Sequence, residues 1–300
     1  MVAVLNGLVG DWLHRSGNGL ASPMSLSAGA RPLVLDAESL RASLPEASRS
    51  VVVLLHGSMG TEFSWRLSDG SDYGTRLGAQ LGMTPLYLRY NSGRHISENG
   101  EALDGLLEAL LPAWPVPLKE LTLIGHSMGG LVARSACHVA AEAEHRWVGR
   151  VRRAFYLGTP HLGAPLERLG NAVAWTLTAV GNPYTSLLAQ VGNLRSAGIK
   201  DLRFANLTRA DWEGADADAL LEDRRHPVPL LPHIRHYLVA GSVSRSPLLT
   251  ALFGDALVPV PSATASKAAR VCVLPGVGHL ALARDEAVYQ QIRAWVEEAP

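Results

Sequence analysis

Ser127 lies at the centre of a Gly-x-Ser-x-Gly motif, between Gly125 and Gly129. A serine hydroxyl is a weak nucleophile at neutral pH, so it needs a tight turn where a base can reach its proton. The two glycines permit such a turn, because a side chain at either position would collide with the neighbouring strand or helix. The turn would also direct the N–H of Met128 towards a developing oxyanion. The motif therefore predicts nucleophilic catalysis by Ser127.

The residues around the motif support this interpretation. Residues 121–124 read Leu-Thr-Leu-Ile, which is typical of a buried strand, and residues 131–139 contain neither glycine nor proline and indicate a buried helix. The alternative is a glycine-rich helix start that only packs tightly. We favour the catalytic interpretation, because the strand, turn and helix occur together in the order that a nucleophilic serine needs.

A nucleophilic serine needs a histidine base, and the histidine needs a carboxylate that holds its tautomer. Among the 11 histidines, we select His279, because it lies in a glycine-containing loop just after the last predicted strand, 270–274. Asp255 lies between that strand and the preceding one, 234–240, in apolar surroundings. The alternative is that Asp255 is a surface residue in a turn, without a catalytic role. The sequence therefore predicts a catalytic set of Ser127, Asp255 and His279; His56, His126 and His161 are expected to be structural or to line the pocket.

An oxyanion hole needs a second backbone N–H beside that of Met128. The sequence His-Gly-Ser-Met-Gly at 56–60 directly follows a predicted strand, 49–55, and its glycines let the main chain approach a reacting carbonyl closely. We expect the N–H of Ser58 to be the donor, with Met59 as the alternative.

The composition limits the class of partner. The 300 residues are 47% hydrophobic, and 27 basic residues balance 27 acidic ones. Such a chain can build one large α/β domain or two small ones, and its zero net charge argues against nucleic acid as a partner. We expect a small, largely uncharged substrate. No clustered metal-ligand motif appears, and a covalent serine mechanism needs no cofactor, so we predict neither.

The N-terminal residues and the two cysteines indicate where in the cell the protein is located. Residues 1–10 form an apolar stretch interrupted only by Asn6, but no basic residue precedes them, which fits a secretory signal poorly. No run approaches the ~20 apolar residues of a membrane span. Cys137 and Cys272 lie in apolar runs, where we expect buried thiols rather than a disulfide. We predict a cytoplasmic protein, with an amphipathic N-terminal helix on a membrane surface as an alternative.

Short apolar runs alternate with helical patterns along most of the chain. Strands are predicted at 49–55, 84–90 and 151–157, and helices at 71–81 and 97–111, the latter capped by Ser97. This alternation predicts an α/β fold with a mostly parallel central sheet and helices on both faces. Active sites in such sheets lie beyond the carboxyl ends of the strands, where each motif above falls.

Residues 165–232 interrupt this alternation with apolar, polar and proline-rich stretches. We predict that they form a helical cap over the site; the alternative is an irregular connection that does not contact substrate. The predicted organisation is an N-terminal extension at 1–48, a core at 49–164 and 233–300, and a cap insertion at 165–232.

Five motifs together carry a resemblance to a known family. They are His-Gly at 56–57, Gly-His-Ser-Met-Gly-Gly at 125–130, Gly-Thr-Pro-His-Leu-Gly at 158–163, Gly-Asp-Ala-Leu-Val-Pro-Val at 254–260 and Gly-Val-Gly-His at 276–279. The chain resembles serine lipases and esterases of the α/β-hydrolase superfamily over about residues 49–280. The Gly-Thr-Pro-His segment is especially similar to the segment that follows the sixth strand in bacterial lipases and in the GPI-inositol-deacylase branch. The resemblance implies Ser127 as nucleophile, Asp255 and His279 as its partners, and an acyl-enzyme intermediate.

The predicted activity is hydrolysis of carboxylic esters with an apolar or acyl-chain group. Thioesterase and acyltransferase activities use the same catalytic residues and stay open as alternatives. From a different class, the alternative is a non-catalytic acyl-binding or interaction module on the same fold, since a fold alone does not prove activity.

Overall fold

A computed structural model describes residues 1–29, 31–164, 196–214, 224–242, 255, 258, 260–264 and 269–298. In this part of the chain, eight strands form one sheet in the order β2-β1-β4-β3-β5-β6-β7-β8. The strands are β1 (Ser25–Ala28), β2 (Arg31–Pro32), β3 (Ser50–Leu55), β4 (Thr84–Arg89), β5 (Glu120–His126), β6 (Val151–Leu157), β7 (Arg235–Ser242) and β8 (Ala269–Pro275). Strands β3 to β8 are parallel, whereas β1 runs antiparallel to β2 and β4.

The described helices pack on both faces of the sheet. They are α1 (Val2–Arg15), α2 (Ala37–Ser43), α3 (Tyr73–Leu81), α4 (Ile96–Ala113), α5 (Met128–Glu142), α6 (Ala197–Phe204), α7 (Val260–Ala263) and α8 (Glu286–Glu297). Alternate residues of β3 belong to different hydrophobic clusters: Val51 and Val53 pack in the cluster of α4 and α5, and Val52 and Leu54 in that of α3 and α8. Because both faces of β3 are covered, its sequence is continuously apolar. The predicted fold class is confirmed.

The predicted N-terminal extension supplies part of the sheet. Strand β1 pairs with β4, with Leu26 opposite Leu88, and so β1 and β2 lengthen the sheet at its antiparallel edge. Within the predicted cap, residues 196–214 and 224–232 are described and contain no strand, while 165–195 and 215–223 lie outside the described residues. The division into core and cap therefore stays a prediction.

The group that caps the N-terminus of helix α4 differs from the predicted one. The helix begins at Ile96, and Ser97 lies inside it, where its hydroxyl accepts a hydrogen bond from Trp212 Nε1 at 2.9 Å. The N–H of Ile96 donates instead to the carboxylate of Asp201, 105 residues later in the chain, at 2.8 Å. The prediction for Ser97 was wrong because the carboxylate that satisfies the helix start comes from a distant segment, which leaves no local signal.

None of the helices in the described residues is both long and apolar enough to cross a membrane. Cys137 and Cys272 are both free thiols. The cytoplasmic location stays a prediction.

Helix α5 approaches β3 so closely that Gly129 has no room for a side chain. A Cβ at this position would overlap the carbonyl oxygens of Leu55 and His56. We expect Gly129→Ala to lower the free energy of unfolding by about 1–3 kcal/mol, because backbone atoms cannot move aside as a flexible side chain can. Urea denaturation measures this change.

Gly105→Ala is the matched control, since Gly105 also lies in a helix and a Cβ there would meet no atom within 4 Å. Equal stabilities of the two variants would contradict the close approach described at Gly129.

Candidate active site

Ser127 occupies the sharp junction between β5 and α5. Its backbone angles are φ 53° and ψ −123°, a sparsely populated conformation for a residue with a side chain, which persists only where the surroundings enforce it. The Ser127 N–H donates to the carbonyl of Leu157 on β6 at 2.8 Å. The chain then turns so tightly that a Cβ on Gly125 would lie 2.5 Å from Gly130 Cα. The spacing of the glycines therefore follows from the packing of this turn.

Asp255 and His279 form a buried pair. Nδ1–H of His279 donates to Asp255 Oδ2 at 2.7 Å, and the N–H of Val258 donates to Oδ1 at 2.7 Å. The backbone N–H of His279 also donates to the carbonyl of Asp255 at 3.0 Å, so main chain and side chain both join the two residues. Asp255 is only 1% exposed. With its proton on Nδ1, His279 presents an unprotonated Nε2, which has no hydrogen-bond partner among the described residues.

Ser127 and His279 line the same cavity, which has a volume of about 220 Å³. No hydrogen bond joins the Ser127 hydroxyl to His279 Nε2 in this structure; catalytic hydrogen bonds are often long until substrate binds. Most of the other side chains around the cavity are apolar, and they include Pro160, Ala164, Ile199, Leu202, Val258 and Leu280. Ile199 and Leu202 come from α6, within the predicted cap.

Of the two predicted oxyanion donors, Ser58 lines this cavity, and Met128 directly follows Ser127 as the first residue of α5. Neither backbone N–H donates to an acceptor in the described part of the chain. The N–H of Met59, the alternative donor, is already bonded to the hydroxyl of Ser92 at 3.0 Å. The structure therefore favours Ser58 over Met59 as the second donor.

Two further histidines support the loops of the site. Nε2–H of His126 donates to the carbonyl of His279 at 2.9 Å, and Nδ1–H of His56 donates to the carbonyl of Gly57 at 2.7 Å. Burial, reinforced by the nearby His279, lowers the pKa of His126 to about 3, and burial lowers the pKa of His56 to about 4. Both rings are therefore neutral at physiological pH and act as hydrogen-bond donors of fixed tautomer.

Gly158, the first residue of the Gly-Thr-Pro-His motif, packs closely against Asp255 and His279. Gly158 has φ +60°, and a Cβ there would lie 3.0 Å from Asp255 Oδ2 and 3.1 Å from His279 Cε1. A glycine is needed both for this backbone angle and for access to the pair. Sequence reasoning missed Ser92, because its bond to Met59 spans 33 residues and has no local pattern.

The comparisons with known proteins concern the fold. A family model described as "PGAP1-like alpha/beta domain" matches residues 89–215, which include Ser127. Comparison with curated proteins gives no match.

Several solved structures are similar to the chain. Bacillus licheniformis lipase BlEst2 in its mature form has 16% identity and a TM-score of 0.55, covering 82% of this chain and 91% of its own. The product of gene lin2722 from Listeria innocua has 13% identity and a TM-score of 0.52, covering 84% and 96%. RedJ, a thioesterase from the prodiginine pathway of Streptomyces coelicolor, has 19% identity and a TM-score of 0.51, covering 84% and 91%. At these identities the likeness shows the fold, and the chain has the α/β-hydrolase fold that the sequence resemblance predicted.

The lowered pKa values of His126 and His56 predict that stability depends on pH. An unfolded imidazole, with a pKa near 6.5, binds a proton that the folded one does not, so the free energy of unfolding falls as the pH falls from about 6.5 towards 4. We expect His126→Asn, which keeps an N–H donor, to reduce this slope by about 1.4 kcal/mol per pH unit. Urea denaturation from pH 7.5 to 4.5 measures the slope.

His14→Asn is the control for the substitution, because His14 is exposed at the end of α1. The account of His126 is contradicted if the His126→Asn variant and the wild type lose stability in parallel as the pH falls.

Proposed function

We propose that this protein hydrolyses carboxylic esters through an acyl-enzyme intermediate, with Ser127 as nucleophile, His279 as general base and Asp255 as its partner. One observation carries the proposal. Ser127 and His279 line a single cavity, and the buried bond from His279 Nδ1 to Asp255 leaves Nε2 with no partner among the described residues and able to accept a proton. A strained serine and an oriented imidazole beside one cavity are the elements of nucleophilic acyl transfer.

The first half of the reaction acylates the serine. His279 Nε2 takes the proton of the Ser127 hydroxyl as Oγ attacks the ester carbonyl carbon, and Asp255 stabilises the resulting imidazolium. The carbonyl oxygen becomes an oxyanion, to which the N–H groups of Ser58 and Met128 donate. When the tetrahedral intermediate collapses, the bond to the leaving alcohol breaks, and His279 gives its proton to the departing oxygen.

The second half releases the acid. A water molecule loses a proton to His279 Nε2 and attacks the acyl carbonyl, again forming an oxyanion at Ser58 and Met128. Collapse breaks the bond to Ser127 Oγ, which recovers its proton from His279. No metal or cofactor takes part in these steps, since the serine supplies the nucleophile and the imidazole carries the proton in both directions.

The walls of the cavity favour a small-molecule substrate with an apolar acyl group. Ile199, Leu202, Val258 and Leu280 offer aliphatic surface to the part of the substrate that does not react. A thioester would use the same residues with a thiolate as leaving group, and an acyltransferase would use an alcohol or amine in place of water. Activity on a matched ester and thioester pair, with and without an added alcohol acceptor, separates these alternatives. We propose a cytoplasmic enzyme.

Ser127→Ala tests the proposal directly. We expect this variant to lose labelling by a fluorophosphonate probe, and its kcat on p-nitrophenyl esters to fall by about 10⁶-fold, because no other group supplies the attacking oxygen. Asp255→Asn retains the Ser127 nucleophile, but its kcat and its labelling rate should both fall, kcat by about 10⁴-fold, since the amide favours the wrong imidazole tautomer. Steady-state kinetics and gel fluorescence measure both effects.

Asp69→Asn is the control for the second variant, because Asp69 is an exposed loop carboxylate. A non-catalytic acyl-binding module would show neither labelling nor turnover in the wild type. Retained hydrolysis in a purified Ser127→Ala variant would rule out Ser127 as the nucleophile.

Leu202 allows a test of where the acyl chain binds. We expect Leu202→Trp to lower kcat/KM for dodecanoyl esters at least tenfold relative to acetyl esters, because the larger ring occupies space that only the longer chain uses. Ile234→Val is the control, since Ile234 is buried outside the cavity. An equal change for both esters would place the acyl chain elsewhere.

A further inference from the structure

The oxyanion turn, residues 57–60, has an unusual backbone. The N–H of Gly60 donates to the carbonyl of Gly57 at 3.1 Å, which closes the turn, and Met59 has φ +59°. A positive φ at the third position is the pattern of a type II turn, where glycine is the usual residue. Methionine in this position is strained, so the conformation persists only if neighbouring groups hold it.

Ser92 is the first of these groups. Its hydroxyl accepts the N–H of Met59 at 3.0 Å, and Ser92 is 2% exposed. This bond fixes the orientation of the peptide between Ser58 and Met59, and Ser58 itself lines the cavity. Because water cannot replace a hydroxyl buried to this degree, the loss of Ser92 would leave the Met59 N–H without an acceptor.

Helix α1 is the second group that holds Met59 in this conformation. A Cβ on Gly7 would overlap Met59 Cγ and would lie 3.2 Å from Met59 N, so the helix backbone is in direct contact with the turn. The side chain of Met59 packs in a separate hydrophobic cluster with Val4 and Leu8 of α1 and Ile199 of α6. The predicted N-terminal extension therefore reaches the candidate site and supports the residue next to the oxyanion donor.

The loop that carries Ser92 is bound to the same helix. Asn91 Nδ2 donates to the carbonyl of Gly10 at 2.8 Å, and its Oδ1 accepts the N–H of Gly93 at 3.0 Å. At the start of α6, the hydroxyl of Ser196, which precedes the helix, donates to the carbonyl of Gly7 at 2.6 Å, and the N–H of Gly198 donates to the carbonyl of Gly93 at 3.1 Å. Helix α1 thus lies between the oxyanion turn, the Ser92 loop and α6.

From these contacts we infer that α1 and Ser92 hold the oxyanion turn in the geometry that directs the Ser58 N–H into the cavity. Ser92 and Gly7 are positioning residues: neither lines the cavity, and each acts through Met59. The inference rests on the proposed function, because an oxyanion forms only if Ser127 attacks a carbonyl.

The test compares Ser92→Ala and Gly7→Ala with Gly105→Ala, a glycine replacement in a helix where the new Cβ meets no atom within 4 Å. Five quantities are measured for the wild type and for each variant. They are kcat and KM on a p-nitrophenyl ester, the rate constant of fluorophosphonate labelling, the inhibition constant of an alkyl boronic acid, and the melting temperature. The boronic acid adduct of a serine is a tetrahedral anion, so its affinity reports the oxyanion donors rather than the apolar walls.

We expect Ser92→Ala and Gly7→Ala each to lower kcat and the labelling rate by about tenfold, less than the 10²–10³-fold that follows removal of a donor. Boronic acid affinity should fall by the same factor while KM changes by less than about twofold, because the lost interaction belongs to the transition state. Ser92→Thr keeps the accepting hydroxyl and should retain more activity than Ser92→Ala. Gly105→Ala should match the wild type.

Two results would overturn the inference while leaving the proposed function intact. In the first, both variants keep wild-type kcat and boronic acid affinity. In the second, activity falls only through a higher KM or in proportion to the loss of folded protein, which is the result expected of a purely structural role. Failure of the proposed function has a different signature, since the wild type would then show no labelling that depends on Ser127.

Discussion

The strained backbone at Ser127 is the constraint on which the candidate site depends. A serine with φ 53° at the end of β5 places its side chain beyond the sheet, and this conformation is held by main-chain contacts on several sides. Its N–H is bonded to Leu157 of β6, and α5 approaches β3 at Gly129 without room for a methyl group. Because the sheet and helix enforce the turn, the strain is balanced by the packing of the whole core.

The other groups converge on this turn from separate parts of the chain. Asp255 follows β7 and His279 follows β8, and their two hydrogen bonds join these loops into one unit. Gly158, after β6, lies against the pair, and His126, beside Ser127, donates to the carbonyl of His279. Because strands β5 to β8 are parallel, all of these residues lie at the carboxyl ends of the strands. Groups more than 100 residues apart can therefore share one cavity. Helix α1 and α6 then cover the oxyanion turn from outside.

The sequence predicted the fold class, because continuous apolar strands alternating with amphipathic helices have few other solutions. It also indicated Ser127, Asp255 and His279, since each follows a recognisable strand in a glycine-containing or apolar loop. In the structure Ser127 and His279 line one cavity, and Asp255 is hydrogen-bonded to His279. Contacts between distant segments could not be predicted in this way. The bond from the Ile96 N–H, at the start of α4, to Asp201 and the bond between Met59 and Ser92 each pair a backbone N–H with a common polar residue far along the chain. Nothing in the local pattern of α1 indicates that it packs on the oxyanion turn.

Rapid-quench mass spectrometry of the intact protein tests the central claim most directly. After milliseconds with a p-nitrophenyl ester, the account predicts a mass increase equal to the acyl group, and peptide fragmentation should locate that group on the Ser127 oxygen. The adduct should decay at the rate at which free acid appears. An acyl group on any other residue, or ester turnover with no acyl-protein at any time, would contradict the account.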